Sequence, residues 1–111
     1  MSELTIICLG IQSIEEIPED KIKLLQESAS VNLHCNKLKN LNGLKSVISI
    51  TSLNLSSNEF QSVNLPELCL LPNLVTLDLA GNLIENLYDF PFMPSIKNLS
   101  LAYNVISSLE G

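Results

Sequence analysis

The chain has 111 residues, of which 46% are hydrophobic, and this length suits a single domain built around one core. Its net charge is −6, and all six basic residues are lysines. That balance argues against a nucleic-acid partner and against docking on an anionic membrane, because both favour a basic surface.

Neither a targeting segment nor a membrane span is evident in the sequence. The opening apolar run, LTIICLG, follows an acid instead of the basic region of a signal peptide, and no run reaches the roughly 18 residues of a membrane helix. Cys8, Cys35 and Cys69 are widely separated and form no C-x-x-C pair, which indicates reduced thiols better than a disulfide framework. We therefore expect a cytoplasmic protein.

Residues 1–27 form the first predicted unit. Leu4 and Ile6 alternate with other residues, which predicts a short strand near residues 5–7. The segment IPEDKIKLLQESA then places acids after Pro18 and apolar residues three apart, so it predicts a helix near residues 19–28. With its charged face outward, this helix should cap the N-terminal end of the domain.

Four further units are predicted at 28–49, 50–73, 74–95 and 96–111, the last of them incomplete. To within one apolar exchange, each follows the form L-x-L-x-x-N-x-Φ-x-x-Φ, where Φ is apolar. The segments read VNLHCNKLKNL, LNLSSNEFQSV, LDLAGNLIENL and LSLAYNVISSL. The aligned asparagines, at intervals of 22, 24 and 22 residues, are Asn36, Asn58, Asn82 and Asn104. A period of roughly 20–29 residues with this pattern is typical of leucine-rich repeats.

Each position of the repeat has a physical role. The L-x-L piece predicts a three-residue strand with inward leucines, and the strands of successive repeats should pair in parallel. These strands are expected near residues 31–33, 53–55, 77–79 and 99–101. The asparagine amide both donates and accepts, so it should satisfy backbone groups buried at the following turn. The predicted fold class is α/β: a leucine-rich repeat solenoid, a right-handed coil with a concave parallel sheet and an irregular or helical convex side.

The connections between the strands should differ from one another. LPELCLL is expected to form a helical turn after Pro66, with Cys69 buried as a small apolar residue. Pro91 and Pro94 exclude a regular helix from YDFPFMP, because proline restricts the residue before it. We expect three apolar side chains of that segment to pack into the core: Phe90, Phe92 and Met93.

The repeats resemble the short, roughly 22-residue class of intracellular leucine-rich repeats typified by a regulatory subunit of protein phosphatase 1. The segment GIQSIEEIPEDKIKLLQESASVNLHCNKLKNL is similar to the first repeats of centrosomal and ciliary proteins that join leucine-rich repeats to a coiled coil. The resemblance implies a non-catalytic protein-interaction scaffold of the cytoplasm, at the centrosome, basal body, cilium or cytoskeleton, that binds its partner on the concave face. The alternative is a regulatory subunit of an enzyme such as protein phosphatase 1.

The candidate partner-binding site consists of outward positions of the predicted strands and turns. Its members are Thr5, Asn32, His34, Asn54, Ser56, Asp78, Ser100 and Tyr103. Most of these side chains are small and uncharged, and only Tyr103 is of a type that commonly dominates binding energy. A merely solvated face is therefore the alternative. The four aligned asparagines are interpreted as structural.

No catalytic, cofactor or metal site is predicted. His34, Cys35 and Cys8 are three soft ligands of the kind that binds zinc, but no fourth ligand is evident. A Cys–His nucleophile pair is not expected either, because His34 is the one histidine and neighbouring strand residues point to opposite faces. We expect a protein without enzymatic activity.

The sequence stops shortly after the strand and turn of the last repeat. The apolar residues expected to lie on an exposed flank there are Ile96, Leu99, Leu101, Ile106 and Leu109. The last strand should also be a bare sheet edge, which pairs readily with another chain. Self-association through this repeat, as a two-fold dimer, is one prediction, and a piece of a longer protein is the alternative.

Overall fold

The computed structural model describes residues 3–42, 44 and 47–106, and within them five short strands form one parallel sheet. The strands are β1 (Glu3–Thr5), β2 (Ser30–Asn32), β3 (Ser52–Asn54), β4 (Thr76–Asp78) and β5 (Asn98–Ser100). They lie side by side in chain order, and each neighbouring pair is parallel. The parallel sheet predicted from the repeat is therefore confirmed.

The strand bounds differ slightly from the predicted ranges. Each of β2 to β5 lies one residue earlier than predicted, and β1 lies two residues earlier. The second apolar residue of the L-x-L piece is thus just outside the strand, although its backbone still bonds to the neighbouring strand. The N–H of Leu33, for example, donates to the carbonyl of Asn54 at 2.8 Å. The apolar pattern locates the inward positions, but it does not specify where regular pairing ends.

The described connections contain one α-helix and two 3₁₀-helices. Helix α1 spans Glu19–Glu27 directly after Pro18, in agreement with the predicted helix. The 3₁₀-helices span Ile14–Glu16 and Ser62–Leu70. Residues 79–97 contain no helix, as expected for a segment with two prolines. Among the helices described, none has the length and apolar character needed to cross a bilayer.

Two side chains predicted to be buried are exposed instead. Cys69 is exposed because a 3₁₀-helix has about three residues per turn, so the residue that follows the buried Leu68 points away from the core. Phe92 is 91% exposed, whereas Phe90 and Met93 pack against the core. Adjacent side chains of an extended segment point to opposite sides, so the inward direction of Met93 turns its neighbour outward. The predicted burial of Cys69 and Phe92 is wrong.

The hydrophobic core lies behind the sheet, between the strands and their connections. The middle residues of the first four strands are between 1% and 4% exposed: Leu4, Val31, Leu53 and Leu77. Leu25 of α1 and Leu65 of the second 3₁₀-helix close the core from the other side, at 1% exposure each. Leu99, the middle residue of β5, is 39% exposed, because among the described residues β5 pairs only with β4. Leu109 of the predicted apolar flank lies outside the described residues.

The aligned asparagines point into the turns that follow the strands. Asn58 is 6% exposed, and its Nδ2 donates to the carbonyls of Leu33 and Leu55, both at 3.0 Å. Its Oδ1 accepts from the N–H of Leu38 at 3.0 Å. Because Leu33 and Leu38 belong to the preceding repeat, one carboxamide bonds its own turn to the turn before it.

The same bridge recurs along the sheet, and successive bridges share their acceptors. The carbonyl of Leu55 accepts from both Asn58 and Asn82, each at 3.0 Å. The carbonyl of Leu79 accepts from Asn82 at 3.0 Å and from Asn104 at 2.8 Å. We call the four carboxamides and the carbonyls between them the asparagine ladder. It runs without a break from the second repeat to the last.

The ladder begins at Asn36 because the first unit has Leu9 at the equivalent position. The Nδ2 of Asn36 donates to the carbonyl of Ile6 at 2.8 Å, and its Oδ1 accepts from the N–H groups of Leu9 and Ile11 at 3.1 and 3.2 Å. The side chain of Leu9 is 70% exposed, so it adds nothing to the core. Across the described residues, every buried side-chain nitrogen and oxygen has a hydrogen-bond partner.

We predict that Asn58→Ala lowers the free energy of unfolding by about 2–4 kcal/mol, because it strands the N–H of Leu38 inside the protein and removes three bonds to carbonyls. Urea denaturation measures the loss. The matched control is Asn73→Ala, which removes one exposed bond to the carbonyl of Ile48 and should cost less than about 1 kcal/mol. Equal losses for the two variants would show that the ladder is not a buried bridge.

Candidate functional site

Outward side chains of the five strands align in rows across the sheet. The strand register places the first residues of the strands in one row: Glu3, Ser30, Ser52, Thr76 and Asn98. It places the third residues in a second row: Thr5, Asn32, Asn54, Asp78 and Ser100. Since the middle residue of each strand points inward, both rows lie on the opposite face of the sheet.

A third row continues the same face just beyond the strands. Backbone bonds keep the register there: the N–H of Cys35 donates to the carbonyl of Ser56 at 3.0 Å, and the N–H of Ser57 donates to that of Ala80 at 2.8 Å. This third row consists of Ile7, His34, Ser56, Ala80 and Ala102. We call the three rows together the outward face.

Seven of the eight predicted partner-binding residues lie on the outward face. Five of them form the second row, and His34 and Ser56 belong to the third, where His34 is half-exposed and Ser56 is buried, at 7% exposure. Tyr103 lies one residue beyond the third row and is 90% exposed. It stands beside the face and is reached only by a partner that extends past the turns.

Three of the five second-row side chains are fixed by bonds to nearby backbone N–H groups. Asn32 Oδ1 accepts from the N–H of His34 at 3.0 Å, and Asn54 Oδ1 accepts from that of Ser56 at 2.9 Å. Asp78 Oδ1 accepts from the N–H of Ala80 at 2.9 Å. Asparagine and aspartate favour this local bond to an N–H two residues on. The three side chains therefore hold one conformation while remaining half-exposed.

A chain of hydrogen bonds crosses from the second repeat to the third. Ser56 Oγ donates to Asn54 Oδ1 at 2.6 Å, and His34 Nδ1 lies 2.6 Å from the same Ser56 Oγ. A hydroxyl has one proton, and this proton is directed at Asn54. His34 Nδ1 must therefore donate to the serine oxygen, and the neutral imidazole keeps its acceptor on Nε2.

The residue before each of the four aligned asparagines, and the residue before Leu9 in the first unit, have a left-handed backbone conformation. The φ angles are 55° for Cys8, 62° for Cys35, 56° for Ser57, 71° for Gly81 and 57° for Tyr103. We call these five positions the turn column. Only glycine adopts such angles without cost, so the other four positions carry strain that the surrounding hydrogen bonds hold in place. No sequence signal predicted this column, since glycine stands at only one of its five positions.

The thiols of Cys8 and Cys35 are neighbours in the turn column. The pKa of Cys8 is raised, chiefly by the neighbouring side chain of Cys35. All three cysteines are free. In the part of the chain that the structure describes, no group of three or more histidine, cysteine, aspartate or glutamate side chains is placed to hold a metal ion.

Comparison with known proteins assigns no family to the chain. No protein-family model matches it, and no curated protein matches it either. The function must therefore be argued from the repeat, the asparagine ladder and the outward face.

We predict that neutral His34 carries its proton on Nδ1, and that Ser56→Ala shifts the proton toward Nε2, because the variant removes the acceptor for Nδ1–H. Long-range nitrogen–proton NMR spectra distinguish the two tautomers. The control is Ser57→Ala, which alters an exposed serine of the turn column and should leave the tautomer unchanged. An Nε2–H tautomer in the unmodified protein would contradict the assigned direction of the bond.

Proposed function

We propose that the chain is a leucine-rich repeat solenoid acting as a non-catalytic protein-interaction scaffold, with its partner bound on the outward face. The observation that carries this proposal is the register of the rows. Offsets of 27, 22, 24 and 22 residues between successive strands bring chemically similar side chains into line across five parallel strands. Such rows form an extended surface, which suits a protein partner better than a small ligand.

The fixed conformations of the second-row side chains support a binding role. Asn32, Asn54 and Asp78 already hold their hydrogen bonds before any partner arrives. Ordering a flexible side chain at an interface costs about 0.5–1.5 kcal/mol, and a side chain that is already ordered avoids most of that cost. A small polar face can therefore recognise a partner without large aromatic contacts.

The chemistry of the face indicates the kind of partner. It presents amide and hydroxyl groups, the carboxylates of Glu3 and Asp78, and a histidine acceptor on a chain of net charge −6. Anionic polymers and anionic lipid surfaces would be repelled. A protein surface that offers hydrogen-bond donors and basic side chains is complementary to it.

The direction of the His34–Ser56 bond argues against enzymatic activity at this face. A catalytic serine gives its proton to the histidine that acts as its base. Here the hydroxyl proton of Ser56 is directed at Asn54, and the imidazole donates to the serine oxygen. The pair therefore lacks the polarity of an activated nucleophile, and we interpret it as part of the binding surface.

We place the scaffold in the cytoplasm, at the centrosome, basal body or cilium, on the basis of the resemblance in residues 10–41. A regulatory subunit of protein phosphatase 1 is the alternative from the same resemblance. The two proposals share the outward face and differ in the protein that it binds.

We predict that Ser52→Arg, on the central strand of the face, abolishes capture of the partner, because a long charged side chain there obstructs the first row and the neighbouring second row. The experiment compares proximity labelling of cell proteins by the wild-type chain, by Ser52→Arg and by Gln26→Arg. The last variant adds the same charge to the exposed surface of α1. Circular dichroism checks that all three chains are folded.

A partner lost with Ser52→Arg and kept with Gln26→Arg, and bound directly when purified, supports the proposal. Centriolar or cytoskeletal proteins among such partners favour the adaptor, whereas a phosphatase catalytic subunit favours the alternative. A direct partner that is lost only with Gln26→Arg would move the binding surface to α1 and overturn the proposal.

We also propose that the chain self-associates through the last repeat. Leu99 is 39% exposed, whereas the equivalent Leu77 of β4 is 1% exposed, and Leu101 is half-buried where the equivalent Leu79 is 1% exposed. Among residues 3–42, 44 and 47–106, β5 pairs only with β4, so its other edge lies beside these leucines without a neighbouring strand. A two-fold dimer would cover both with matching patches. Ser107 and Ser108, at the end of this repeat, lie outside the described residues.

We predict that Leu99→Lys converts a dimer into a monomer, because it places a charge in the exposed apolar patch. Sedimentation velocity over a wide concentration range measures the change. The matched control is Ile48→Lys. Ile48 is 71% exposed and lies in the connection before β3, which is separated from β5 by β4. A wild-type chain that stays monomeric at high micromolar concentration, with protected amides in β5, would show that this end needs no partner.

A further inference from the structure

Cys8 and Cys35 lie directly opposite each other in neighbouring repeats. The register of β1 and β2 pairs Glu3 with Ser30 and Thr5 with Asn32. The same offset continues past the strands, where the N–H of Cys8 donates to the carbonyl of the residue before Cys35 at 3.2 Å. The two cysteines are therefore a register pair and not merely near neighbours.

The spacing of such a pair suits a disulfide bond. Opposite residues of adjacent parallel strands are separated by about 4.8 Å. A disulfide needs Cα atoms roughly 4.4–6.8 Å apart, and this spacing meets that requirement. It also needs Cβ atoms roughly 3.5–4.5 Å apart, so the two side chains have to lean slightly toward each other when the bond closes. Both cysteines also have nearly equal φ angles, 55° and 62°, so their side chains leave the backbone in similar directions.

A second observation on the turn column confirms how close its neighbours stand. A Cβ atom built on Gly81 would lie 3.3 Å from the Oγ of Ser57, the next member of the column. The pKa of the Cys8 thiol is raised, chiefly by the side chain of Cys35, which agrees with two thiols that stand side by side in the register. Cys8 is exposed and Cys35 half-exposed, so a small oxidant reaches both.

We propose that Cys8 and Cys35 are a modification site: they form a reversible disulfide that ties the first repeat to the second when the chain meets a low-molecular-weight disulfide such as oxidised glutathione. In a reducing compartment the two residues remain thiols, as they are in this structure. Cys69 is exposed elsewhere, in the second 3₁₀-helix, and takes no part.

The reaction proceeds in two exchanges. The Cys35 thiolate attacks one sulfur of the small disulfide, a mixed disulfide forms, and the first small thiolate leaves. Cys8, deprotonated in its turn, attacks the sulfur of Cys35 and displaces the second small thiolate. Two protein thiols are oxidised by two electrons, one small disulfide is reduced to two thiols, and the two protons end on those thiols. The reverse order, with Cys8 attacking the small disulfide first, balances in the same way and gives the same product.

The test uses the Cys69→Ser variant, in which only the register pair remains. It is treated with oxidised glutathione, its free thiols are blocked with N-ethylmaleimide, and the intact mass is measured. We expect a chain that has lost both thiols and carries no adduct, with Cys8 and Cys35 linked in one peptide after digestion. Adding Cys8→Ser or Cys35→Ser should instead leave one stable glutathione adduct. Both substitutions are small changes at accessible positions.

A control in urea tests whether the disulfide depends on the folded structure or only on the short separation of the two cysteines in the sequence. In urea, the ratio of internal disulfide to glutathione adduct should fall by roughly tenfold or more, because the fold no longer raises the effective concentration of one thiol at the other. Two glutathiones on each folded chain, or an internal disulfide that forms as readily in urea, would overturn the proposal.

The proposed disulfide should also raise the melting temperature of the protein. A bond between positions 8 and 35 restricts the unfolded chain, so oxidised Cys69→Ser should melt about 5 °C or more above its reduced form, and a reductant should abolish the difference. An oxidised chain that melts below the reduced one would show that the bond distorts the first two repeats, and would overturn the stabilising role.

Discussion

The interior of this chain is apolar at almost every position, yet the backbone has to turn inside it after each strand. The N–H and C=O groups at those turns are shielded from water, and leaving one of them unpaired costs about 1–3 kcal/mol. The asparagine ladder satisfies them with a side chain that carries both a donor and an acceptor, and it bonds each turn to the one before it. The common register of the strands, and with it the rows of the outward face, depends on this arrangement.

The side chains of the outward face are ordered both in position and in conformation. Such order favours the binding of a partner over catalysis. The backbone register fixes where each side chain stands, and bonds from Asn32, Asn54 and Asp78 to their own backbone fix how it points. The hydroxyl proton of Ser56 is directed at Asn54, and Nδ1 of the one histidine lies 2.6 Å from the same hydroxyl oxygen. A partner would therefore meet a surface whose donors and acceptors are already arranged, which is why we favour a scaffold.

Periodicity predicted the parallel sheet and α1 because those elements repeat the same burial in every unit or begin at an unmistakable proline. It failed where a residue has no counterpart in the other repeats. Phe92 and Cys69 are apolar, but the local backbone directs their side chains outward. The residue type alone does not show which way a side chain points. The turn column and the bond between His34 and Ser56 were also beyond prediction, because they depend on φ angles and on contacts across repeats.

Every bridge of the ladder has the same direction: a later carboxamide completes an earlier turn. On the ribosome the N-terminus emerges first, so the N–H of Leu38 lacks this hydrogen-bond partner until Asn58 has been synthesised. Successive asparagines are 22 or 24 residues apart, and synthesis at about 5–20 residues per second makes each wait roughly one to five seconds. The nascent chain therefore closes its turns one after another, and at any moment only the newest repeat is open to a chaperone or to a wrong partner.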